Sequence, residues 1–86
     1  MRNYIQQVRS AIAASIEVED DLLDLYTLVA LLKGKETTLK DIHDAWAVWR
    51  NKTVPEHRSL IPFEKLSSEV QELDRPYMEA VRSACV

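Results

Sequence analysis

Glycine is what this chain has least of: one residue in 86, beside three prolines. Tight β-hairpins, disordered linkers and low-complexity tracts all need more of these two residues, so the composition points to helices. Cysteine is equally sparse. Cys85 stands alone, which excludes an internal disulfide and fits a reducing compartment. There is no excess of positive charge: 14 acids against 11 bases give −3, which offers little to a phosphate backbone or an anionic membrane. Long hydrophobic runs are missing too. The most apolar stretch, residues 22–32, carries Asp24 and Thr27 and falls well short of the ~20 residues of a membrane span. Residues 1–7 are polar and lack the apolar core of a signal peptide, so the expected location is the cytoplasm. A length of 86 residues fits one domain.

The periodicities fill in the architecture. Tyr4, Ile5, Val8, Ile12 and Ile16 recur at helical spacing, with Arg2, Gln6, Gln7 and Arg9 on the other face, which predicts an amphipathic helix over 3–16. Residues 17–21 form an acidic connection in which Glu19 or Asp20 suits a helix N-terminus. Residues 22–33 are apolar on nearly every side, the mark of a helix at the centre of a domain. Lys33-Gly34 is its stop, since glycine tolerates positive φ. Thr38 with Asp41 resembles a capping box at the start of a third helix, and Leu39, Ile42, Trp46 and Trp49 fall on its inward face. Residues 51–62 contain two prolines and no period. They read as an ordered loop anchored by Val54, Leu60 and Ile61. The last helical region opens with Ser68 and Gln71 as a capping pair and turns Val70 and Leu73 inward. It breaks near Asp74, because Pro76 belongs in a first helical turn, and Tyr77, Met78, Val81 and Ala84 continue the stripe. The expectation is a single all-α domain over 1–86: four main helices, an ordered Pro-containing loop between the third and fourth, and a last helix kinked or split near Asp74-Pro76.

Chemistry is harder to read. His43 and His57 are the only histidines, and zinc would need a further ligand. Asp44 is adjacent to His43 and cannot share its helix face, while Cys85 is remote, so no metal site is expected. A Ser–His–Asp arrangement from His43, Asp44 and Ser59 or Ser67 lacks a nucleophile elbow and a glycine-lined oxyanion site, so no catalytic residue is assigned. The third helix sets Asp41 and Asp44 against Lys40 and Arg50 and is no basic recognition helix, which argues against nucleic acid. Trp46 and Trp49 are core anchors or the aromatic wall of a pocket. As a core anchor, Trp46 would pack between its helix and the turn that Pro62 fixes, with Phe63 folded back onto it. His57 would tie the loop to the helix ends, Asp74 would cap the last helix, and Arg75 would reach a carboxylate.

One constellation is familiar. His43-Asp44-Ala45-Trp46 on a helix, then His57-Arg58-Ser59-Leu60-Ile61-Pro62-Phe63, then Leu66, Glu69 and Asp74-Arg75, resembles the ryanodine-receptor repeat (RyR) domain family. That family's pattern is His-x-x-Trp, a loop, His-Pro-x-Leu-Val-Pro-Tyr/Phe, a spacer with Leu, and a Tyr-Asp-Arg-like ending. The resemblance covers residues 39–82 in the family's order. Small stand-alone proteins of actinobacteria and their phages are similar over more of the chain, including Leu25-Tyr26 and Lys33-Gly34. Arg58 replaces the family's proline, and the loop between Trp49 and His57 is too short for its Gly-Trp-x-Tyr-Gly-Pro segment. The resemblance implies a non-enzymatic, cofactor-free binding or sensor module, in host cytoplasm if phage-encoded. It would take a small anionic, nucleotide-derived ligand or a host protein. The candidate ligand residues are His43, Trp46, His57, Arg58 and Arg75, with Trp49, Pro62, Phe63 and Asp74 structural. The alternative is an oligomeric interaction module without a small ligand.

Overall fold

A computed structural model describes residues 3–85 of the chain. Five helices follow one another: α1 (Tyr4–Ala13), α2 (Asp20–Lys33), α3 (Leu39–Asn51), α4 (Ser68–Glu72) and α5 (Arg75–Ser83). The fourth expected helix is thus split, and the all-α expectation holds, with no strand among the described residues. Local chemistry sets each start. Asn3 caps α1 by accepting the Gln6 N–H at 2.9 Å. Asp20 and Asp21 fill the first turn of α2, where acidic side chains meet the positive end of the helix dipole. Thr38 and Asp41 form a complete capping box on α3, each side chain accepting the other's backbone N–H.

The α2–α3 connection is tightly made. Gly34 has φ 57° and ψ −131°, a region open in practice only to glycine, and leads into a 3₁₀ turn, Gly34–Glu36. Thr37 follows, fully buried. Its hydroxyl donates to the Gly34 carbonyl at 2.7 Å. Its own carbonyl accepts from Arg82 Nε at 2.8 Å, so α5 is hydrogen-bonded to the turn. Helices α1, α3 and α5 all pack on α2, around a core of Ile12, Leu22, Leu23, Tyr26, Ala30, Ile42, Met78 and Val81.

Several expectations are corrected. α1 ends at Ala13, and of its predicted stripe only Ile12 is buried while Tyr4 and Ile5 are exposed; Arg2 lies outside the described residues. α2 is not enclosed, since Leu28, Leu31 and Leu32 are exposed. Three neighbours cover one side of a helix, and a chain this short has no fourth to spare. Ser67, not Ser68, caps α4, accepting the Val70 N–H. Gln71 instead reaches back, its Nε2 donating to the carbonyls of Phe63 and Leu66. Leu73 is exposed rather than inward, and Val54 and Ile61 are poor anchors because both remain exposed. Residues 51–62 are ordered by hydrogen bonds: Val54 N–H to the Arg50 carbonyl, His57 N–H to Val54 and Leu60 N–H to His57.

Removing a cap has a predictable cost. Thr38→Ala should destabilise by about 1 kcal/mol, lowering the melting temperature by roughly 4–8 °C. Ser67→Ala should act in the same direction while Ser68→Ala leaves it unchanged, as read by circular-dichroism melting. Equal effects of the two serine variants would contradict the α4 register.

Candidate functional site

Between α2, α3 and the α4–α5 junction lies an open cleft of about 840 Å³, within the size range of small-ligand sites. α3 supplies one wall. His43, Trp46 and Arg50 fall at i, i+3 and i+7, a single helical face, and Trp49 adds a second indole beside them. Leu22 and Tyr26, one turn apart on α2, form the floor. His57 and Ser59 come from the loop, and Asp74 and Tyr77 from the start of α5. Glu17 and Glu19, in the α1–α2 connection, place two more acids at the edge.

The aromatic groups contact one another in sequence. His43 stacks on Trp46 at 5.8 Å between centroids, and the Trp46 and His57 rings meet nearly at right angles, 5.1 Å between centroids. Tyr26 and Tyr77 lie 6.0 Å apart on the other side. His43 is buried, and its Nε2 is 2.8 Å from the Ile61 carbonyl; a carbonyl accepts only, so Nε2 carries the proton. His57 Nδ1 accepts the Ser59 N–H at 3.0 Å, so that ring bonds within its own loop and not to the helix ends.

Arg50 and Asp74, both half-buried, lack ordinary side-chain partners among the described residues. The Arg50 guanidinium lies over the Trp49 ring, 4.5 Å from its centroid, a cation–π arrangement. Its Nε is buried with no hydrogen-bond acceptor, and it forms no ion pair among the described residues. Asp74 was expected to cap α5; its side chain makes no capping bond and lines the cleft instead. Burial pushes its carboxyl above the usual range, partly offset by nearby His43. Burial also pushes the Tyr26 phenol up, and the charge of Asp74 adds to the shift.

His43, Trp46 and His57 therefore share one site, and Trp49 belongs to it as well. Arg58 and Arg75 do not line it. Arg75 is one residue and 100° of helix beyond Asp74, and it points outward to Glu72 at 2.6 Å and Glu79 at 3.9 Å. Phe63 packs its ring against His43, 6.2 Å between centroids, with Pro62 extended before it at φ −54° and ψ 142°. Trp46 is only half-buried and walls the cleft. Asp44 pairs with Lys40 at 2.9 Å and Ser67 caps α4, so neither assembles with His43 into a triad. No group of three or more His, Cys, Asp or Glu among the described residues could hold a metal ion. Arg50, Tyr26 and Tyr77 were not anticipated as site residues. The available signal was spacing: Arg50 is four residues after Trp46 and seven after His43.

The family model for a domain of unknown function, DUF7701, matches residues 1–86. The chain belongs to DUF7701. No curated protein and no solved structure matches it. No helix among the described residues is long and apolar enough to cross a membrane.

For this DUF7701 chain the half-buried Asp74 has a measurable pH signature. An acid whose folded pKa is raised binds protons more tightly when folded, so it costs stability as pH rises from the unfolded value near 3.8 through the raised one. Asp74→Asn should therefore raise the melting temperature at pH 7 and make little difference below pH 3.8. A variant destabilised at pH 7 would show that the carboxylate is held by favourable bonds.

Proposed function

We propose that this domain is a non-enzymatic binding module whose cleft takes a small planar ligand of the nucleobase type, bearing at most one anionic group. The observation that carries this reading is an arginine whose Nε has no acceptor, set over one indole in a cleft that a second indole also lines. Indoles are groups on which a heteroaromatic ring stacks, and two of them line the cleft. A buried unpaired donor costs about 1–3 kcal/mol, and a ligand carbonyl, ring nitrogen or phosphoryl oxygen would relieve Arg50 of that cost. Asp74 is placed to accept from a ligand amino or imino group.

The acids set the charge class. Glu17, Glu19 and Asp74 share the cleft with one arginine, so a polyphosphate would meet more repulsion than attraction. A nucleoside or nucleoside monophosphate suits the site better. The binding rather than catalytic reading is supported by the histidines, because one nitrogen of each is committed to a backbone group. The resemblance to RyR domains over residues 39–82 belongs to the same proposal, since it too implies a sensor-like binding module.

Both tryptophans of the chain line the cleft, so intrinsic fluorescence reports binding directly. Titration with the common nucleosides and their mono- and triphosphates should give saturable quenching by at least one nucleoside or monophosphate. The matching triphosphate should bind at least tenfold more weakly. Arg50→Gln should weaken binding by about tenfold or more, equivalent to at least ~1.4 kcal/mol. Arg58→Ala and Arg75→Ala should bind as the wild type does. An unquenched wild type across the panel at concentrations to about 5 mM, a Kd weaker than roughly −3 kcal/mol, would overturn the proposal.

A further inference from the structure

Arg50 and Asp74 both line the cleft, the first on α3 and the second at the start of α5. They carry opposite charges, yet no ion pair joins them among the described residues. A cleft with an unused donor and an unused acceptor on different elements suits a ligand that meets both. The hydrogen-bonding role of each group is fixed. A guanidinium N–H only donates, and an ionised carboxylate only accepts, through two oxygens side by side.

The remaining polar groups of the lining select less. The hydroxyls of Tyr26, Ser59 and Tyr77 either donate or accept as a ligand requires. His57, whose Nδ1 accepts the Ser59 N–H, keeps Nε2 as a further donor. Of the three acids in the lining, Glu17 and Glu19 are exposed, and Asp74 alone is half-buried. Burial holds its carboxyl above the usual range, partly offset by His43, so water is already withdrawn in part from the oxygens a ligand would meet.

Complementarity to that carboxylate separates the common nucleobases. A carboxylate is matched by a pair of N–H groups lying side by side. Guanine presents such a pair in N1–H and the 2-amino group, and leaves O6 and N7 as acceptors. Adenine and cytosine set their amino group beside an unprotonated ring nitrogen, whose lone pair would face the second carboxylate oxygen. Uracil and thymine flank their imino N–H with carbonyls, with the same result. Resting on the reading of the cleft as a nucleobase site, we propose that the base it takes is guanine. Asp74 accepts from N1–H and the 2-amino group, and Arg50 Nε donates to O6 or N7. Asp74 is thereby the residue that sets specificity, because a base without that pair leaves a half-buried carboxylate oxygen unmatched.

NMR titration of the two indole N–H signals, with each nucleoside monophosphate to about 5 mM, is the test. Guanosine monophosphate should bind the wild type about tenfold or more tighter than inosine monophosphate, which lacks only the 2-amino group. The adenosine, cytidine and uridine monophosphates should bind as weakly as the inosine nucleotide. Asp74→Asn should lose the preference for guanosine over inosine monophosphate and favour xanthosine monophosphate over both. The C2 carbonyl of xanthine would accept from the new amide, while N1–H still donates to its oxygen. Guanosine monophosphate bound no more tightly than the inosine or adenosine nucleotide overturns the guanine assignment and leaves the cleft a nucleobase site. An Asp74→Asn variant that keeps the wild-type order of affinities overturns it as well. Unmoved indole signals with every nucleotide overturn both readings.

Discussion

The hydrogen bond from His43 Nε2 to the Ile61 carbonyl, 2.8 Å long, is the contact on which the rest of the site depends. Residues 51–62 carry no strong apolar anchor, and beyond bonds such as that from Val54 N–H to the Arg50 carbonyl at the end of α3 their backbone N–H groups bond within the loop. His43 attaches the far part of the loop from a buried position on α3. The same ring stacks on Trp46, packs against Phe63 and acts electrostatically on Asp74. One side chain thus ties down the loop wall, packs against the indole wall and bears electrostatically on the acid at the start of α5. A histidine suits this position because it combines a planar apolar body with one directed donor.

Stability and site pull in opposite directions around it. The core of Ile12, Tyr26, Ile42 and Val81 is closed, and the connections next to it are satisfied, as at Thr37 with its bonds to Gly34 and Arg82. The cleft collects the groups that ordinary folding would avoid: a guanidinium donor without an acceptor, a carboxyl pushed up by burial, and two half-buried indoles. Costs of this kind concentrate where a structure is prepared for something it does not itself contain.

Much of the fold was legible because its signals are local. The capping box of Thr38 and Asp41, the stop at Gly34 and the helix break forced by Pro76 each depend on a few neighbouring residues. Burial was less legible. Residues 22–33 are apolar around the whole helix, and periodicity cannot say that only three neighbours exist to cover it, so Leu28, Leu31 and Leu32 were misplaced. The site was read in part. His43, Trp46 and His57 share the cleft, but Asp74 had an evident local role as a cap, and that role hid its place in the cleft wall. Arg75 has a local carboxylate in Glu72, three residues before it, and was displaced from the cleft by it. Arg50 carries no motif of its own, and only helical spacing from His43 and Trp46 connects it to them.

On the proposed reading, Arg50 is the group that meets a ligand in the cleft that the two indoles line. Two-dimensional NMR of the Arg50 Nε–H and the two indole N–H signals during a nucleoside titration tests this most directly. All three signals should move together along one saturation curve, with the Arg50 Nε–H shifting downfield as it gains an acceptor. Indole shifts with a stationary Arg50 signal at saturation would contradict it.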